Sequence, residues 1–87
     1  MDVILRVDDK LDVLDPERLA QQLIAQCCAV VKQRWGLDVT RWDTKIWLSR
    51  LFATARFARS EGGELLCKIV AYDPSTGEIS EMKWELR

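Results

Sequence analysis

The last third of the chain, E-L-L-C-K-I-V-A-Y-D-P-S-T-G-E-I-S-E-M-K-W-E-L-R, constrains the fold most, because it reads as one β-hairpin with a nearly fixed register. Asp73-Pro74-Ser75-Thr76-Gly77 has the chemistry of a closing turn. Proline pre-sets φ, glycine accepts a positive φ, and an aspartate side chain bonds back to nearby N–H groups. A four-residue loop built on a type I turn closes many hairpins. It pairs Asp73 with Glu78, Tyr72 with Ile79, Ile69 with Met82 and Cys67 with Trp84. Side chains alternate along a strand, so Leu65, Cys67, Ile69 and Ala71 share a face with Ser80, Met82, Trp84 and Leu86. That face is the core face. The other is mostly solvated and sets Lys68 against Lys83, a like-charge pair that is mildly destabilising. Leu66, Val70, Tyr72 and Ile79 leave an apolar patch on it.

Upstream, residues 3–7, V-I-L-R-V, read as a short strand followed by a polar connection. Asp15-Pro16-Glu17 is a helix start: a capping carboxylate, a proline suited to the first helical position and an acid at the positive dipole end. Leu19, Leu23, Ile24, Cys27, Val30, Val31 and Trp35 then recur at helical spacing, and Gly36 ends the helix just after Lys32 and Arg34. Over most of 43–58 the spacing of Trp47, Leu48, Leu51, Ala55 and Ala58 predicts a second amphipathic helix, capped by Thr40 or Asp43 and ended by Gly62-Gly63. The competing reading makes 52–60 a strand, with Ala53, Ala55 and Phe57 on one side and S-E-G-G turning into residues 64–72.

These parts predict one α+β domain spanning residues 1–87. Its order is β-α-α-β-β: a small antiparallel sheet of three strands with two helices on one face. The alternative is β-α-β-β-β, a four-stranded sheet wrapped over one long helix, which resembles a cystatin-type arrangement in shape alone.

Composition narrows the function. There is no histidine, which removes the commonest general base and the commonest zinc ligand. The three cysteines include the adjacent pair Cys27 and Cys28, whose side chains diverge by about 100° on a helix. They form neither a disulfide framework nor a C-x-x-C site and read as buried thiols in a reducing compartment. Gly62-Gly63 lacks the rest of a phosphate loop, and the Asp8, Asp9, Asp12 and Asp15 cluster lacks the order of a calcium loop. No apolar run is long enough to span a bilayer, and the acidic N-terminus does not read as a signal peptide. The expectation is a cytoplasmic, non-enzymatic protein, prokaryotic or phage-encoded, with no cofactor, metal or small-molecule ligand.

Charge and aromatic placement suggest where such a protein would bind. Residues 41–60 hold Arg41, Lys45, Arg50, Arg56 and Arg59 against Asp43 alone, whereas the flanking segments are net acidic and the whole chain is net −1. On a helix, Arg41, Lys45, Arg56 and Arg59 would line one ridge, either a solvated face or a contact for phosphates or an acidic protein. Four tryptophans are many for 87 residues, and Trp35, Trp42 and Trp47 crowd beside this segment. Trp47 and Trp84 fit core faces. Trp42 is either a lid over the end of the core or an exposed anchor for a partner. The candidate binding residues are therefore Arg41, Trp42, Lys45, Arg56 and Arg59. The expected activity is docking on a larger protein or self-association; the alternative is nucleic-acid binding, for which net −1 is a poor footing.

Overall fold

Helix α1 spans Pro16–Trp35 and starts and stops where its sequence dictates in the computed structural model, which describes residues 3–87. The Asp15 carboxylate accepts the Arg18 N–H at 3.0 Å, satisfying one of the orphan donors of the first turn. Gly36 takes the left-handed conformation (φ 68°) and its N–H closes on the Lys32 carbonyl. Leu19, Ala20, Leu23, Cys27 and Val31 are the buried stripe. Ile24 and Val30 are half-buried, and Trp35 is exposed but packs edge-on against Trp84, with ring centroids 5.5 Å apart.

The segment predicted as a second helix is instead a hairpin, strands β2 (Asp43–Leu48) and β3 (Ala53–Ala58). Thr44, Ile46 and Leu48 alternate inward with Ala53, Ala55 and Phe57, a period of two that makes six residues of one hairpin face buried. The expected helix over 43–58 is thus corrected to strands. Trp47, assigned to a core face, points the other way and is 39% exposed. Strand β1 (Val3–Val7) pairs parallel with β2, strand β4 (Glu64–Tyr72) pairs antiparallel with β3, and β5 (Ile79–Leu86) pairs antiparallel with β4. The fold is α+β: one helix on one five-stranded mixed sheet of order β1-β2-β3-β4-β5. The α+β class stands, as do the single long helix and the strand within 52–60 of the alternative reading; the strand count is corrected from three or four to five.

The β4–β5 hairpin keeps the register read from its sequence from Cys67↔Trp84 to Ile69↔Met82, with Lys68 opposite Lys83, and again at Tyr72↔Ile79. Between them the ladder is irregular and Ala71 faces Glu81. A bulge reverses alternation locally, and Tyr72 turns inward, where its hydroxyl donates to the Ser49 carbonyl at 2.5 Å. The predicted apolar patch therefore does not form: Tyr72 and Leu66 are buried, Ile79 packs on the core, and Val70 alone stays exposed. The turn itself is tied to the helix. Gln26 donates to the Gly77 carbonyl at 2.5 Å and accepts from the Ile79 N–H at 3.2 Å. Gly77 has φ 75°, a left-handed conformation that favours glycine, and a Cβ there would push the Gln22 side chain aside.

Candidate functional site

Among the described residues, α1 covers one side of the sheet and no helix or strand covers the other. Strand alternation and register place two rows of side chains across the middle of this helix-free face. The first runs Ile4, Lys45, Arg56, Leu66, Glu85 and the second Arg6, Trp47, Thr54, Lys68, Lys83. Arg6, Lys45, Arg56, Lys68 and Lys83 are all solvent-exposed, and Glu85 is the sole acid in the two rows. Asp43, Glu64 and Glu81 lie in the bordering rows.

Within the rows, like charges meet. Lys45 stands directly opposite Arg56, and Lys68 directly opposite Lys83. Arg56 finds relief in Glu64, with Nε 2.6 Å from Oε2; no ion pair forms at Lys45, Lys68 or Lys83 among the described residues. Trp47 anchors the centre of one row. Its ring meets Phe52 edge-on at 5.7 Å between centroids, and the Arg6 guanidinium lies 5.9 Å from its centroid. Phe52 is 42% exposed, so the pair presents a rigid aromatic surface among cations.

The five residues singled out in the sequence divide into two groups. Lys45 and Arg56 are neighbours on the helix-free face. Arg41, Trp42 and Arg59 cluster where β2 begins and β3 ends, beside the Asp43↔Ala58 pair. There the Arg59 guanidinium lies 5.3 Å from the Trp42 ring centroid and its Nε donates to the Gly62 carbonyl at 3.1 Å. Trp42 itself is half-buried against the core, as a lid would be. No single ridge joins all five. Arg6, Trp47, Phe52, Lys68 and Lys83 were not singled out as binding residues. The alternation D-T-K-I-W-L held the clue, since it puts Asp43, Lys45 and Trp47 on the face opposite Thr44, Ile46 and Leu48.

The thiols lie on the other side of the sheet. Cys27 and Cys67 are buried and free, and Cys28 is half-buried. The neighbouring Cys67 thiol, followed by burial, pushes the Cys27 thiol far above its ordinary range, and burial raises Cys28. Neither supplies a thiolate nucleophile at neutral pH. Among the described residues, no group of three or more His, Cys, Asp or Glu side chains converges to hold a metal. No helix among them is long and apolar enough to cross a membrane. A groove of about 650 Å³ runs between α1 and β1, lined by apolar residues that include Val3, Leu5, Ile24 and Cys28.

Comparison with known proteins brings no relative to this arrangement: no protein-family model matches the chain, and no match was found among curated proteins or solved structures.

Proposed function

We propose that this chain is a non-catalytic docking module whose helix-free sheet face binds an acidic protein surface, in a reducing, cytoplasmic setting. The observation that carries the reading is the pair of opposed like charges, Lys45 against Arg56 and Lys68 against Lys83, flanking an exposed Trp47. Cross-strand pairs of opposite charge stabilise a sheet by roughly 0.2–1 kcal/mol and like charges destabilise it. Stability alone favours an acid in each pair. An acidic partner supplies those acids from outside, relieves the repulsion and gains the Trp47–Phe52 surface as an aromatic anchor. Free thiols at Cys27, Cys28 and Cys67 favour the reducing compartment.

The exposed Trp47 beside Arg6 and Lys45 also favours a second reading, stacking of single-stranded nucleic acid. Tryptophan fluorescence separates the two. The protein is titrated with polyglutamate and with a single-stranded DNA homopolymer at low and physiological salt, beside a Lys45→Glu/Lys68→Glu variant. The expected result is a saturable, salt-sensitive response to polyglutamate that the variant loses. Preferential binding of the DNA would install the second reading. A flat response to both polymers would show that the face is not an electrostatic docking site.

A further inference from the structure

The β1 edge of the sheet is a second candidate interface, and it does not depend on the reading of the helix-free face. The Asp8 N–H bonds to the Leu48 carbonyl of β2 at 2.9 Å. Hydrogen-bonding direction alternates along a strand, so Arg6 and Ile4 also turn their backbone groups toward β2. Val3, Leu5 and Val7 consequently turn theirs outward, and β1 is the last strand of the sheet on that side. This edge is short and carries one charge, Arg6, but is otherwise unprotected. It contains no proline, no bulge and no inward charge, and Val3, Ile4 and Val7 are 42%, 57% and 37% exposed. The opposite edge, β5, carries Glu81, Lys83 and Glu85 and an irregular ladder.

We infer that β1 pairs antiparallel with β1 of a second copy, about a two-fold axis at Leu5. The three residues whose backbone turns outward, Val3, Leu5 and Val7, read alike in both directions. With the axis at Leu5, Leu5 faces its own copy and Val3 faces Val7, so every outward N–H and C=O of these three residues finds a partner. Val3 and Leu5 line the groove along α1, so a second copy carries its apolar wall onward by symmetry, a match that a heterologous peptide would have to reproduce. Charge is compatible: Arg6 is the sole ionisable group in the strand and falls opposite Ile4 of the second copy, not opposite its own copy.

The register makes a signed prediction. Ile4→Glu places a carboxylate opposite Arg6 of the second copy, twice by symmetry, and should tighten the dimer about fivefold. Ile4→Lys places a cation there and should weaken it by a similar factor. Val7→Pro removes an outward donor without touching a β1–β2 hydrogen bond and should leave a monomer. Sedimentation equilibrium on the full chain from micromolar to near-millimolar concentration reads all four proteins, with circular dichroism to confirm that each is folded. Concentration-dependent dimerisation with the two Ile4 variants shifted in opposite directions is the expected result. A wild-type protein and Ile4→Glu variant that both stay monomeric would overturn the inference, as would a dimer indifferent to the charge at position 4.

Discussion

Lys68 separates stability from binding at a single residue. It lies between Thr54 and Lys83 in its row, exposed, with no ion pair among the described residues. Lys68→Glu converts a repulsive cross-strand pair into an attractive one and should raise stability by about 0.5–1 kcal/mol in urea denaturation. The same change removes a cation from the face proposed to dock, so polyglutamate binding should weaken while the protein grows more stable. If stability falls instead, the lysines contribute something other than repulsion to the sheet. Cys27 gives a residue-scale prediction of opposite character. The fold holds its thiol protonated, so the unfolded chain ionises first, near the ordinary value of 9.0. The unfolded state then binds fewer protons than the native one, and stability falls as pH rises. The contribution is intact below that pH and is lost progressively above it; Tyr72, raised by burial from 10.0, extends the loss upward. The urea midpoint should therefore decline from about pH 8 to about pH 10.5, and Cys27→Ala should make the decline shallower.

At the scale of elements, the Gln26 side chain hydrogen-bonds α1 to the β4–β5 turn. Gln26→Ala leaves the Gly77 carbonyl and the Ile79 N–H without their partner. Stranding partly buried polar groups costs about 1–3 kcal/mol, which thermal unfolding will read directly. An unchanged melting temperature would mean that water replaces both bonds. The same elements explain what the sequence makes legible. Helix α1 carries caps at both ends and a stripe of one period, and every local preference agrees with the fold. The β4–β5 register is legible because Pro74 and Gly77 fix the turn, and the one departure, the irregular ladder at Ala71, leaves no mark in the residues. The β2–β3 hairpin is hidden for two reasons. Its turn, Ser49-Arg50-Leu51-Phe52, has no glycine, proline or asparagine and is closed by the Ser49 N–H on the Phe52 carbonyl. Leu51 and Phe52 are exposed turn residues, yet Leu51 completes a false helical spacing between Trp47 and Ala55. The candidate site was half legible for that reason: the basic composition of 41–59 is plain, but only the strand period reveals which cations share a face.

At the scale of the molecule, the arrangement of charge matters more than its sum. A net charge of −1 conceals a cationic sheet face and acidic flanks, and the two respond oppositely to salt. In the free protein the opposed pairs on the face repel, so added salt screens a destabilising interaction. At physiological ionic strength the screening length is about 8 Å, short enough to affect exposed lysine and arginine heads on adjacent strands. The free protein should consequently gain a small increment of thermal stability between about 0.02 and 0.3 M sodium chloride, and Lys68→Glu should abolish or reverse the gain, because its new pair is attractive and salt weakens it. The proposed complex with an acidic partner should behave the other way, since the attraction that would hold it is the one screened. On the proposed function, salt should therefore stabilise the free protein and weaken its hold on an acidic partner. Thermal scans of the free protein and polyglutamate titrations across the same salt series test both signs together. Salt curves of the same sign for stability and affinity would mean that the cationic face is not the surface that binds.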